Sequence, residues 1–317
     1  MNPDTSTART IHSDLEPRMR ELVDFTVDWI LRYQLYDSVE KALEQAIVPV
    51  TFSDWTSPSN STQDQLILSA KCLSVFLYFD DLDGPAREKF VEHARPLMGT
   101  EQHRDCPIQI LALADYLDHL GKYGDPAPFV ARFTASFDMY LRESNLDIAS
   151  LRTTAEADRI HSATIFVAEY TANWKIAMGL MDLCGYENLE EASVKLVYLV
   201  NDIASIARDQ QDGSVNYVLA LQAERGLSIA EASQEVVAQV SSLYDELVKA
   251  RVKEPDNRLI EFLCADVEGN IYATAELSKL RYGNLPAELL PVCQLLQRED
   301  RSCRWINYDE YFKTEGR

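Results

Sequence analysis

Two short polar strings in this chain carry the residue types that hold hard cations. The first is Phe79-Asp80-Asp81-Leu82-Asp83-Gly84, directly after the apolar run Leu66 to Phe79. Its carboxylates fall where a helix should end, in front of a Gly84-Pro85 breaker. Asp80 and Asp83 are three residues apart and on a helix would share a face, with Asp81 beside it. Carboxylates gathered there repel one another and sit at the unfavourable end of the helix dipole. A divalent cation relieves both costs, because hard Mg2+ takes oxygen ligands and commonly bridges carboxylates to phosphates. A solvated acidic turn is the alternative in a chain this acidic. The second string is Val200-Asn201-Asp202-Ile203-Ala204-Ser205-Ile206-Ala207-Arg208-Asp209. Asn201, Ser205 and Asp209 are spaced i, i+4, i+8, so a helix lines up an amide oxygen, a hydroxyl and a carboxylate in one row. Such a row can hold one Mg2+ and leave coordination positions for phosphate oxygens and water. The flanks Val197, Val200, Ile203 and Ile206 are apolar, so the row is embedded in a buried helix, where unpaired polar groups are costly. The alternative is a polar stripe satisfied by neighbouring helices.

The elements that must position these strings read as helices. Apolar residues recur at i, i+3, i+4 and i+7, and few stretches alternate with period two. Leu22, Phe25, Trp29 and Ile30 mark one helix; Leu66 to Phe79 a second; Ile108, Leu111, Leu113, Tyr116 and Leu120 a third. Further patterns cover about Phe129 to Tyr140, Ile160 to Leu183, Glu187 to Asp209, Ile229 to Ala250 and Asn257 to Tyr282. Breaks at Ser57-Pro58-Ser59, Gly84-Pro85, Gly124-Asp125-Pro126, Gly185, Asp212-Gly213 and Gly283 to Pro286 are too short to be interdomain linkers. The expectation is an all-α single-domain bundle (residues 1–317) of roughly ten or more helices around a central apolar cavity. The ends, 1–15 and 300–317, read as flexible or covering segments.

Composition limits the partners. The chain has 317 residues, with 30 Lys+Arg against 51 Asp+Glu, a formal charge of −21. Nucleic acid and anionic membrane surfaces are disfavoured by that charge. An anionic substrate must be bound locally, through metal ions or a few placed cations. The six cysteines are far apart and lack zinc spacing, so free thiols in a reducing compartment are expected. No secretory signal and no membrane span is visible, and the reading is a cytoplasmic protein.

Together the two strings resemble the aspartate-rich and "NSE" metal motifs of class I terpene cyclases in their microbial single-domain form. Arg152, in Leu151-Arg152-Thr153-Thr154, stands 49 residues before Asn201, near the family's pyrophosphate-sensing Arg. Arg208 directly precedes the last ligand, and Arg281-Tyr282 resembles a C-terminal Arg-Tyr pair that touches diphosphate. The resemblance covers roughly residues 60 to 285. It departs in the short D-D-x-D first motif, in Asp209 where Glu is usual, in Ala155-Glu156 where an Asp-Gly pair is common, and in Tyr272 offered in place of a Trp. The family implies three Mg2+ ions (Mn2+ a possible substitute) held by Asp80, Asp81, Asp83, Asn201, Ser205 and Asp209. It implies an isoprenoid diphosphate, farnesyl or geranylgeranyl, gripped by Arg152, Arg208, Arg281 and Tyr282, and often a homodimer. Aromatic candidates for a cation-stabilising lining are Phe76, Phe79, Phe166, Trp174, Tyr198 and Tyr272. The competing readings are a trans-prenyltransferase of the same fold, disfavoured because the second site is not a second D-D-x-x-D, and a non-catalytic helical protein.

Overall fold

The computed structural model describes residues 5–58, 60–97, 106–143, 153–281 and 287–295. Among them the chain runs through α1 (Thr5–Asp14), α2 (Pro17–Arg32), α3 (Val39–Thr56), α4 (Gln63–Asp81), α5 (Gly84–Leu97), α6 (Ile108–Leu120) and α7 (Ala127–Glu143). It continues through α8 (Thr154–Thr164), α9 (Val167–Ala177), α10 (Glu187–Asp212), α11 (Tyr217–Arg225), α12 (Ile229–Lys253), α13 (Arg258–Arg281) and α14 (Leu290–Leu295). The described residues contain no strand. The architecture is the all-α bundle expected, with more helices than the periodicity alone located.

Two of the extra features shape the site. From Ala46 onward helix α3 is buried on nearly every side, with Ala46, Ile47, Val48, Pro49, Val50 and Trp55 in the core, so that half shows no amphipathic stripe by which a helix is recognised. Its Val-Pro-Val-Thr stretch and internal Pro49 also read against a helix. The expected helix Ile160 to Leu183 is two, because Phe166 adopts a left-handed backbone (φ 58°) between α8 and α9. That conformation costs a bulky residue energy and persists only where its surroundings over-determine it.

Helix α4 starts in a capping box. Thr62 Oγ1 accepts the Gln65 N–H (3.2 Å) and Gln65 Oε1 accepts the Thr62 N–H (2.9 Å). It buries Leu66, Leu68, Ala70, Cys72, Val75, Phe76 and Phe79, which makes it a central helix. Helix α10 spans 26 residues and is closed by Gly213 in the left-handed conformation (φ 67°), whose N–H returns to the Asp209 carbonyl. Helix α9 packs on both α4 and α10, the two helices that carry the polar strings, and α3 packs on α4 and on α13, which in turn packs on α10. Glycine is required where α13 meets α3: a Cβ at Gly269 would lie 2.1 Å from the Trp55 carbonyl oxygen.

The segment 1–15 includes α1, which packs against α3 and buries Ala8; the segment 300–317 lies outside the described residues. The five described cysteines are free thiols, three of them buried. No helix among the described residues is long and apolar enough to cross a membrane.

Candidate active site

Asp80 from α4 and Asn201, Arg208 and Asp209 from α10 border one cavity of about 260 Å3. The rest of its wall is largely apolar and aromatic, with Phe52, Phe76, Tyr140, Phe166 and Tyr170 as the rings. The fold thus brings the two polar strings, more than a hundred residues apart in sequence, to the same hollow.

The first string does not enter as a unit. Helix α4 ends at Asp81, and Leu82 is already extended (φ −72°, ψ 144°). Asp83 therefore does not share a helical face with Asp80, contrary to the three-residue spacing. Its carboxylate instead accepts the Ala86 N–H (2.8 Å) at the start of α5. Asp81 accepts the Tyr36 hydroxyl (2.8 Å) and borders no part of the cavity. Asp80 is the carboxylate presented to the hollow, where Tyr140 Oη donates to it (3.1 Å). Arg87 secures this helix end. Its guanidinium donates to the carbonyls of Phe79 (3.3 Å) and Asp80 and lies over the Tyr140 ring (5.5 Å). A cation there answers the negative end of the α4 dipole.

The second string is a helical row, as its spacing requires, but an internally bonded one. Ser205 Oγ donates to Asp209, both residues being buried. Arg208 reaches round to the other Asp209 oxygen with Nε and a terminal nitrogen, each at 3.1 Å. Asn216 completes the clamp: its amide donates to Asp209 (3.0 Å) and to the Asp202 carbonyl (2.8 Å). The Asn216 Oδ1 caps α11 by accepting the N–H groups of Val218 (2.9 Å) and Leu219 (3.3 Å). Asp209 is thus held in place from three sides.

Asp202 and His161 also border the cavity, and sequence reasoning assigned them no role. Asp202 is buried, accepts the Tyr217 N–H (2.6 Å), and its carboxylate is 3.0 Å from His161 Nδ1. Burial pushes its carboxyl up, and His161 and the Tyr217 N–H pull the other way. Arg87, Tyr140 and Asn216 were likewise missed. Each acts through packing at a helix end, which no fixed spacing announces; an Asn three residues after Gly213 is a cap signal in hindsight.

The expected aromatics separate into two groups. Phe76 and Phe166 line the cavity, stacked on each other with centroids 4.5 Å apart, and Phe166 stacks on Tyr140 at 5.1 Å. Phe79, Trp174, Tyr198 and Tyr272 do not border it. Phe79 packs into the cluster of Phe90, Phe137 and Tyr140; Trp174 is fully buried beside Phe262. Tyr198 donates to Asp158, and Tyr272 lies against Trp55 (5.3 Å). Ser205 does not border the hollow either. Arg281 is the last residue of α13, and Arg152 and Tyr282 lie outside the described residues.

The Asp80, Asp202 and Asp209 carboxylates and the Asn201 amide border the cavity, and their hard oxygen donors fit a hard divalent cation. Among the described residues no three His, Cys, Asp or Glu side chains gather closely enough to form a metal cage on their own. The fit is that of an ion held by few protein oxygens, with coordination positions left for other ligands.

This fold is that of solved terpenoid synthases. A linalool/nerolidol synthase from Streptomyces clavuligerus, solved with 2-fluorogeranyl diphosphate, superposes with a TM-score of 0.67 at 16% identity, over 83% of this chain and 99% of that one. An a-eudesmol synthase superposes with a TM-score of 0.59 at 17% identity, over 83% of this chain and 95% of that one. Residues 78–246 match the family model for terpene synthase family 2, C-terminal metal binding, and the chain belongs to that family. A 7-epi-alpha-eudesmol synthase ((2E,6E)-farnesyl diphosphate cyclizing) from Streptomyces viridochromogenes is 25% identical over 225 residues, 63% of this chain. The match spans 65% of that relative's length.

Proposed function

We propose that this protein is a Mg2+-dependent class I terpene cyclase, a carbon–oxygen lyase acting on phosphates, that ionises farnesyl or geranylgeranyl diphosphate and cyclises the allylic cation. The observation that carries this reading is the meeting of Asp80 with Asn201 and Asp209 at one aromatic-walled cavity. The relative described as farnesyl diphosphate cyclizing supports the substrate class.

In this reading Asp80, Asn201 and Asp209 hold the ions, with Ser205 joining them if its hydroxyl turns from Asp209. Bound Mg2+ supplies Lewis-acid neutralisation of the departing diphosphate. Arg208 stands half-exposed at the cavity edge and donates charge-assisted hydrogen bonds to diphosphate oxygens. By motif position we assign the same task to Arg152, Arg281 and Tyr282. Phe76, Phe166 and Tyr140 then present ring faces to the cation, each contributing roughly 0.5–2 kcal/mol. The apolar wall of Val48, Leu73, Leu77 and Val167 keeps bulk water from it. The buried free thiols fit a reducing, cytoplasmic setting.

The test is incubation of the purified protein with geranyl, farnesyl and geranylgeranyl diphosphate, with Mg2+ or EDTA, and gas chromatography–mass spectrometry of the extract. A cyclic C15 or C20 product that vanishes with EDTA is the expected result. Elongated diphosphates on adding isopentenyl diphosphate, or no product at all, overturn the reading.

A further inference from the structure

Behind the cavity wall lies a carboxyl that the mechanism above does not use. Asp266, on α13, is completely buried, and neither of its side-chain oxygens has a hydrogen-bond partner among the described residues. An unpaired buried carboxyl is costly, and native structures retain few of them. One turn further along α13, on the same face, Asn270 borders the cavity. So does Tyr170 of α9, whose phenol is pushed up by burial and then by the charge of Asp266. Trp174, one turn beyond Tyr170, is also fully buried, and its indole N–H donates to no described residue.

Tyr170 cannot satisfy Asp266. Thr56 Oγ1 donates to the Phe52 carbonyl (2.6 Å), so Tyr170 Oη must donate to Thr56 (2.6 Å). Ser69 must then donate to Tyr170 (2.8 Å), and Ser53 donates to Ser69 (2.9 Å). Every hydroxyl proton of this relay is committed, and none is left for Asp266. Around the carboxylate the relay leaves over the Asn270 amide, which favours the ionised Asp266, and the donor-only Trp174 indole N–H, which is directed towards the Tyr170 oxygen. Buried waters make about three such hydrogen bonds to polar groups left unpaired by the protein.

We propose that Asp266, Trp174, Tyr170 and Asn270 hold a water molecule at the cavity wall, and that this water captures the carbocation to give a terpene alcohol. The inference rests on the cyclase reading for its second half only. In the capture step a lone pair of the water oxygen forms the new C–O bond. One water O–H bond then breaks, its electron pair stays on oxygen, and the proton passes to the Asp266 carboxylate. Asp266 returns that proton to bulk water after product leaves. Burial pushes the Asp266 carboxyl up to about 7, with Asn270 opposing the shift, and a proton acceptor works best with its pKa near the operating pH.

Two measurements test this. Oxygen-17 relaxation dispersion of the ligand-free protein counts long-lived internal waters, and Asp266→Leu should hold one fewer than the parent protein. An equal count overturns the water site whether or not the protein turns over. Turnover in 18O-enriched water should give an 18O-labelled alcohol. Asp266→Leu should lower the alcohol-to-hydrocarbon ratio at least about tenfold while diphosphate release continues. Asp266→Asn, which keeps the shape and one acceptor oxygen but takes no proton, should retain the internal water and still lose alcohol. It serves as the variant of choice if the leucine form does not fold. A purely hydrocarbon product from the parent protein, or an unchanged ratio in both variants, overturns the capture step. No product from any isoprenoid diphosphate removes the cyclase reading and the capture step with it, and the water count then stands by itself.

Discussion

At the residue scale, the chemistry divides the acidic string. Asp80 faces the cavity, whereas Asp83 caps α5 and Asp81 is bonded to Tyr36. If Asp80 holds an ion as proposed, Asp80→Asn should lower turnover by about a hundredfold or more while leaving the melting temperature nearly unchanged, since charge stabilisation is lost but no packing is. Asp83→Ala should do the reverse, costing about 1 kcal/mol in chemical denaturation through the lost cap and leaving most turnover. Equal activity losses in the two variants would return Asp83 to the metal site. Sequence spacing could not make this distinction, because the i, i+3 rule applies only while the helix continues, and α4 stops at Asp81. The second string was legible because α10 runs unbroken through Asn201, Ser205 and Asp209. Asp266 gives a prediction of defined sign. Its carboxyl is raised in the folded state from an ordinary 3.8 to about 7, so the native state binds the proton more tightly than the unfolded chain. Its stabilising contribution is complete below about pH 4 and is lost as pH rises towards 7. Denaturation of Asp266→Asn against the parent protein across this range should show the variant gaining relative stability with rising pH. A pH-independent difference would show that Asp266 ionises normally.

At the element scale, the long apolar run of α4 was readable although that helix is central, whereas α3 was not. In α3, Val48, Pro49 and Phe52 supply cavity wall, yet the half of the helix from Ala46 onward has almost no polar face to set its period. The break at Phe166 was equally hidden, because the side chain is an ordinary core aromatic and only its backbone is unusual. Stacking on Phe76 and Tyr140 holds that residue in its left-handed conformation and aims its ring at the cavity. The contact between α3 and α13 is testable. A methyl at Gly269 would meet the Trp55 carbonyl carbon at 2.3 Å, which is backbone and cannot rotate away. Gly269→Ala must therefore part the two helices. We expect a loss of about 1–3 kcal/mol or more in denaturant unfolding, the cost of overpacking. Because α3 and α13 both border the cavity, turnover should fall too, even in protein that remains folded. Unchanged stability would mean that the helices separate freely, and the cavity wall would then have to be regarded as plastic.

At the scale of the whole molecule, the charge of −21 and the location of the cavity lead to one further expectation. Asp80, Asp202 and Asp209 border the hollow against Arg87, Arg208 and the titratable His161. Arg87 is committed to the end of α4, and Arg208 already contacts Asp209. Pyrophosphate alone therefore meets a site whose cations are largely engaged, on a protein whose overall field repels it. On the proposed function, Mg2+ would turn the carboxylates from repulsive neighbours into ligands, and the anion would complete the ions' coordination. Thermal melts should show little stabilisation by pyrophosphate alone, a small effect of Mg2+ alone, and a clearly larger effect of the two together. A ligand pair that binds only the native state at about a hundred times its dissociation constant adds about 2.7 kcal/mol. In Asp80→Asn and Asn201→Ala the shift specific to the pair should largely disappear, because each variant weakens one wall of a site that needs both. Additive shifts in the parent protein, or full synergy in both variants, would mean that the two helices do not share an ion-bridged anion site. The convergence of α4 and α10 on one cavity would then be a feature of packing rather than of catalysis.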